Sequence, residues 1–156
     1  MYFLESYSGA EKIRKYVSDA ACYDKIINLY EHKEADKPMF IFNVTMQNHS
    51  SYSGEFDNFS PEIEVNGANS QTLNNYLSLI KISDTAIEDL IDYFSTVSED
   101  TIIVFFGDHQ PSNSVVEPIL RMNGKTHETL TDEEYADRYT VPYFVWANYD
   151  IAEASD

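Results

Sequence analysis

Three short stretches of the chain are apolar at nearly every position: Met39–Met46, Thr101–Phe106 and Val141–Ala147. Each is too short for a typical helix and is bounded by polar or turn-forming residues. The pattern predicts strands covered on both faces. Pro142, near the start of the third, is tolerable there. Between the first two, Leu73, Tyr76, Leu77, Ile80, Ile87, Leu90, Ile91 and Phe94 recur every three or four residues, which predicts a long amphipathic helix. Asp84 falls on the same stripe, where a carboxylate needs a hydrogen-bonding partner. Ser18 and Asp19 are placed to cap a helix carrying Tyr23, Ile26, Ile27 and Tyr30. Residues 53–69, with Gly54, Pro61 and Gly67, read as a polar loop. A further helix is expected around 114–122, and Thr131-Asp132-Glu133-Glu134 resembles a capping box. The polar, tyrosine-rich start includes residues 1–17, which are expected to be poorly ordered.

Strand, helix, strand, helix, strand is the order of an α/β fold with a mainly parallel sheet flanked by helices. In such sheets ligands gather beyond the carboxyl ends of strands. His49 follows the first predicted strand, and Asp108 and His109 follow the second, so both groups are expected at one edge.

Composition narrows the classes. A chain of 156 residues with 43% hydrophobic residues can build a core. Asp and Glu outnumber Lys and Arg by 27 to 10, a formal charge of -17 that repels nucleic acid and anionic lipid surfaces. Cys22 is the single cysteine, which excludes an intramolecular disulfide and a cysteine zinc cluster and reads as a buried, inert thiol. Met1-Tyr2-Phe3-Leu4 runs straight into Glu5, so no leader is expected, and no apolar run approaches membrane-spanning length.

The chemistry concentrates where the second apolar run stops at Gly107-Asp108-His109. Carboxylate plus imidazole suits zinc or manganese, and an oxygen-rich shell shifts the balance toward manganese. The bland alternative is a turn in which Asp108 caps the next segment. A serine-hydrolase triad fits poorly, because no Gly-x-Ser-x-Gly elbow exists and adjacent Asp108 and His109 cannot orient one another in line. No Walker loop or dinucleotide fingerprint is present. His49 suits contact with an anionic substrate or general acid catalysis, or else bonds to nearby backbone. His32 and His127, in charged polar segments, read as solvated. Asn43, Asn48 and Asn58 open glycosylation sequons, and since the first lies inside a predicted buried strand, chance is the better explanation.

Four motifs then stand in order: Phe40-Ile41-Phe42-Asn43-Val44-Thr45-Met46-Gln47-Asn48-His49; Tyr76-Leu77-Ser78-Leu79-Ile80-Lys81 with Ser83-Asp84; Ile102 through Gly107-Asp108-His109-Gln110-Pro111; and Val141-Pro142-Tyr143-Phe144-Val145-Trp146-Ala147-Asn148-Tyr149. Together they resemble the lipoteichoic acid synthase and phosphoglycerol transferase branch of the sulfatase family, within the alkaline phosphatase superfamily, over about residues 18–151. The resemblance implies a membrane-anchored bacterial enzyme whose catalytic domain lies on the extracellular face. Such enzymes move phosphoglycerol from phosphatidylglycerol to a glycerol-phosphate polymer or glycan. A threonine nucleophile forms a covalent intermediate, assisted by a divalent metal, manganese first with zinc or magnesium as alternatives. By motif match, Asp108 and His109 are two of the metal ligands and His49 contacts the substrate headgroup.

In that family the nucleophile and another acidic ligand lie well upstream of the matched segment. The resemblance therefore implies a single partial domain over 1–156, the C-terminal part of a catalytic domain, with half an active site and no activity by itself. An unpaired sheet edge and bare apolar surface would make it self-associate, or else leave its truncated parts disordered. The alternatives are a sulfatase or phosphoethanolamine transferase of the same superfamily, or a non-catalytic binding module.

Overall fold

The computed structural model describes residues 7–151. The chain divides into two compact units, Met1–Leu90 and Ile91–Asp156. The first carries a two-stranded hairpin, β1 (Lys12–Ile13) and β2 (Tyr16–Val17), then helix α1 (Asp19–Glu31) and most of helix α2 (Gln71–Ser95). The second carries β3 (Ile102–Phe106), α3 (Asn113–Met122), α4 (Asp132–Ala136) and β4 (Tyr143–Ala147), with single 3₁₀ turns at His127–Thr129 and Asp137–Tyr139.

Local signals account for the helices. Ser18 caps α1 by accepting from the Ala21 amide at 3.1 Å. Thr131 and Glu134 form a reciprocal capping box on α4. Along α2 the buried positions include Leu73, Leu79, Ala86, Ile87, Leu90 and Phe94. Asp84 is exposed and Ile80 is 38% exposed, so the predicted stripe is rotated. The buried face instead takes in Asn75, Ser78 and Ser83, polar positions that a hydrophobicity count skips.

Those polar side chains hold an irregular loop. The Ser78 hydroxyl accepts from the amides of Glu62 at 3.0 Å and Ile63 at 2.9 Å, and Asn74 Oδ1 from Val65 at 3.0 Å. Asn75 Nδ2 donates to the carbonyls of Tyr52 at 2.7 Å and Gly54 at 3.1 Å. Backbone groups outside a ladder need partners when buried, and here one helix face supplies them.

The sheet corrects the expectation of a mainly parallel arrangement. Among the described residues the two sheets are two-stranded and antiparallel, β1 with β2 and β3 with β4. In the second, Val104 faces Val145 and Phe105 faces Phe144, whose rings stack at 5.2 Å. The chain between them holds helices but returns reversed, which periodicity cannot foretell. Ile103, Phe105, Phe144 and Trp146 are half-buried, while Ile102, Val104, Phe106, Tyr143 and Val145 are exposed. The first predicted strand, 39–46, forms no ladder. It alternates all the same: Phe40, Phe42 and Val44 are 90%, 70% and 65% exposed, and Ile41, Asn43 and Thr45 are half-buried. The fold is thus a mixture of helices and strands without the predicted sheet.

Asn148 closes the second unit. Its Oδ1 accepts from the Thr101 amide at 2.8 Å, and its Nδ2 donates to the carbonyls of Phe94, Val97 and Glu99 at 3.3, 3.1 and 3.0 Å. One amide side chain thereby joins the end of α2 to the start of β3. Asn148→Ala should cost about 1–3 kcal/mol, since it strands a part-buried amide and several carbonyls. Urea unfolding of both proteins checks this, and coincident midpoints would show these bonds to be replaceable by water.

The first unit centres on a buried polar node. The Ser83 hydroxyl donates to Asp19 Oδ2 at 2.5 Å and accepts from Gln47 Nε2 at 3.0 Å and Asn48 Nδ2 at 2.7 Å. Gln47 Oε1 accepts from the Asp19 amide at 2.9 Å. Burial pushes the Asp19 carboxyl above the usual carboxylate range, against hydrogen bonds from Ser83, Thr45 and the Gln47 backbone that lower it. The same environment explains Cys22, whose thiol burial, with the nearby Asp19 charge, pushes up to about 11. An inert thiol follows.

A carboxyl raised in the folded state binds its proton more tightly there than in the unfolded chain. Its contribution to stability is therefore most favourable below the unfolded value and is lost as pH rises through the folded one. Relative to Asp19→Asn, which has no proton to exchange, the native chain should gain stability as pH is lowered from neutral toward the ordinary carboxylate range. Urea midpoints for both proteins at several pH values test this. A pH-independent difference would mean that Asp19 titrates alike in both states.

Candidate functional site

His49 stands just after a turn at 47–48, with its amide donating to the Met46 carbonyl at 3.0 Å. Its Nδ1 lies 2.9 Å from the Ser50 carbonyl and 3.1 Å from the Tyr16 hydroxyl, which itself donates to the Ser50 carbonyl at 2.9 Å. A carbonyl oxygen can only accept, so Nδ1 carries the proton. In the neutral ring Nε2 then keeps its lone pair. The side chain is exposed.

Behind this loop sits Arg14, only 8% exposed. Its Nη1 donates to the Ser51 carbonyl at 2.6 Å and its Nη2 to those of Gln47 at 2.5 Å and His49 at 2.9 Å. The rings of Tyr16, Tyr52 and Phe56 lie 5.3, 5.6 and 5.6 Å from its guanidinium carbon. Burial pulls the guanidinium below its ordinary pKa, partly offset by Tyr16 and Tyr52. Sequence reasoning missed Arg14, because an Arg-Lys pair in a polar segment looks solvated.

The second candidate lies in the second unit, in the turn after β3. Gly107 donates its amide to the Pro142 carbonyl at 3.2 Å. A methyl group there would rest on Val141 at 3.5 Å, an ordinary contact, so space does not demand glycine. His109 Nδ1 lies 2.8 Å from the Gln110 carbonyl, which again fixes the proton on Nδ1. Its Nε2 is 3.7 Å from Asp108 Oδ2, and the two side chains are 68% and 84% exposed. The turn is braced by Gln110 Nε2 donating to the Thr140 carbonyl at 2.5 Å and Arg138 Nη2 to the Pro111 carbonyl at 3.3 Å.

These two donors fit a divalent cation. Metal bonds to nitrogen and carboxylate oxygen of about 2.1 Å let one ion touch atoms up to about 4 Å apart. The imidazole has the tautomer that ligation by Nε2 requires. Among the described residues, however, no group of three or more His, Cys, Asp and Glu side chains could hold a metal.

The structure brings Asp108 and His109 together within one turn. His49 belongs to the first unit with Arg14 and Tyr16. His32 is exposed, as expected, with Nδ1 2.8 Å from the Asn28 carbonyl. His127 departs from its solvated reading: it is half-buried, and its Nε2 is inaccessible and without a partner.

The chain belongs to the sulfatase family, which its sequence matches over residues 2–156. It is 32% identical over 152 residues to a Rhizobium meliloti (strain 1021) protein provisionally named for cyclic beta-1,2-glucan modification, covering 92% of this chain and 23% of that protein. Against the capsular polysaccharide biosynthesis protein RkpI of the same organism it is 27% identical over 97 residues, 62% of this chain and 16% of RkpI. The fold is similar to that of the Streptococcus pyogenes phosphoglycerol transferase GacH, solved in complex with sn-glycerol-1-phosphate. The TM-score is 0.60 at 21% identity, over 91% of this chain and 34% of GacH. The chain thus spans about a quarter or less of the curated relatives it matches.

Proposed function

We propose that this chain is the metal-binding and headgroup-binding part of a phosphoglycerol transferase. The whole enzyme would move phosphoglycerol from phosphatidylglycerol to a cell-envelope acceptor on the extracellular face of a bacterial membrane. The observation that carries this reading is the Asp108–His109 turn, where carboxylate and imidazole converge to 3.7 Å at the end of a strand in a sulfatase-family chain. Sulfatase-family chemistry generally uses divalent metals. Asp108 and His109 would hold such an ion, manganese first with zinc or magnesium as alternatives. Once bound it supplies Lewis-acid stabilisation of phosphoryl charge. His49 presents Nε2 to the headgroup, accepting from a glycerol hydroxyl when neutral and donating to a phosphoryl oxygen when protonated. The threonine nucleophile and the remaining ligands belong to the rest of the enzyme.

GacH, with its sn-glycerol-1-phosphate, supports the substrate class. The names of the two Rhizobium relatives favour a glycan over a glycerol-phosphate polymer as acceptor. Among the described residues no helix is long and apolar enough to cross a membrane, so the proposed anchor also lies outside them. The exposed row of Phe40, Phe42 and Val44 supports self-association of the isolated chain, which light scattering over a concentration series would detect.

By itself the chain should turn over neither phosphatidylglycerol nor aryl sulfates. Manganese binding measured by calorimetry should be weak, with two protein ligands where closed zinc sites take four. Asp108→Ala and His109→Ala should each weaken it at least about tenfold, the lower end of what losing even an outer hydrogen bond to a metal ligand costs. Submicromolar affinity unchanged in the double variant would remove Asp108 and His109 from the metal site.

A further inference from the structure

Arg14 sits in the turn of the β1–β2 hairpin at φ 56, a left-handed conformation where glycine would be free of strain. What the arginine adds is a buried cation on which three carbonyls converge, those of Gln47, His49 and Ser51. They come from five consecutive residues, so the guanidinium fork fixes the curvature of the segment that carries His49. Two residues on, Tyr16 reaches the fourth carbonyl, that of Ser50, and His49 Nδ1 as well. Asn58 Nδ2 holds the hairpin in turn, donating to the carbonyls of Lys12 at 2.9 Å and Arg14 at 3.0 Å.

We propose that Arg14 and Tyr16 are positioning residues for His49: the hairpin shapes the 47–51 loop and selects the tautomer that turns the Nε2 lone pair outward. Two contributions separate. Arg14 sets the path of the backbone. Tyr16 reinforces the proton that the Ser50 carbonyl holds on Nδ1, because its hydroxyl donates to Ser50 and leaves its oxygen as a second acceptor for Nδ1. Neither residue needs to touch a ligand. The purpose of this arrangement rests on the reading of His49 as the headgroup contact, but its test needs no ligand.

The test is made on the 156-residue chain, with imidazole ¹⁵N shifts for the tautomer and amide hydrogen exchange for the loop. The native protein should show His49 with Nδ1 protonated. Tyr16→Phe should shift the tautomer ratio toward Nε2–H about fivefold, the size of one lost hydrogen bond, while α2 amides stay protected. Arg14→Lys keeps the charge but loses the fork, and should speed exchange of the His49 amide at least about tenfold with α2 unchanged. Should Arg14→Met fail to fold, Tyr16→Phe and Arg14→Lys still decide the matter. An unshifted tautomer in Tyr16→Phe together with a protected His49 amide in Arg14→Lys would overturn the proposal. Titration with sn-glycerol-1-phosphate is the separate arm. If the variants behave as expected yet the His49 ring of the native chain ignores the ligand, the positioning stands and the headgroup reading falls.

Discussion

The first unit depends on a hydroxyl. Ser83 donates to one buried carboxylate and accepts from two amide side chains, so one oxygen joins the start of α1, the middle of α2 and the turn at 47–48. Asp19 is 2% exposed and Gln47 fully buried, so water cannot replace the bonds among Asp19, Gln47 and Ser83. A buried polar network rigidifies when complete and is costly when any member is lost. Gln47 extends the node outward: its side chain meets Asp19 and Ser83, and its carbonyl meets Arg14. His49 stands two residues further on.

A common device runs through both units. Where backbone has no ladder, side-chain amides and hydroxyls take the place of strands. Ser78, Asn74 and Asn75 do so for the 52–65 stretch, and Asn148 does so between α2 and β3. These groups are short, so each reaches only the backbone directly beside it. The resulting loop path is determined by a few positions on a helix face, which is how an irregular segment can carry a side chain at a defined place.

This explains what the sequence disclosed. The helices were legible because caps and 3.6-residue periodicity are local: Ser18, Thr131 with Glu134, and Leu73 through Phe94 each declare themselves. The Gly107-Asp108-His109 turn was legible for the same reason. Strand pairing was not, since an apolar run such as Ile102–Phe106 says that it wants cover but not from which direction its neighbour runs. The run at 39–46 shows this most clearly, alternating in exposure yet part of no ladder. Buried polar residues were the other blind spot. Asn75, Ser78 and Ser83 break the hydrophobic stripe of α2, and the reading that skipped them rotated the helix enough to bury Asp84. Arg14 gave no sign, because its partners are backbone carbonyls, which every residue type supplies alike.

The two candidate histidines share a local rule and differ in what lies behind it. Each turns Nδ1 to the carbonyl of the next residue, Ser50 or Gln110, and so leaves Nε2 for a ligand. At His109 the bracing is light and exposed. That suffices for a metal ligand, because an ion draws its donors into place and binding energy can complete the geometry. At His49 the bracing is heavy: a buried guanidinium, a tyrosine hydroxyl and the Ser83 node. A neutral or singly charged headgroup offers far less binding energy than a divalent cation, so its contact must be shaped beforehand. The distribution of buried polar structure, dense behind His49 and sparse behind Asp108 and His109, is the one that the proposed function would require, with headgroup recognition at the first and metal ligation at the second.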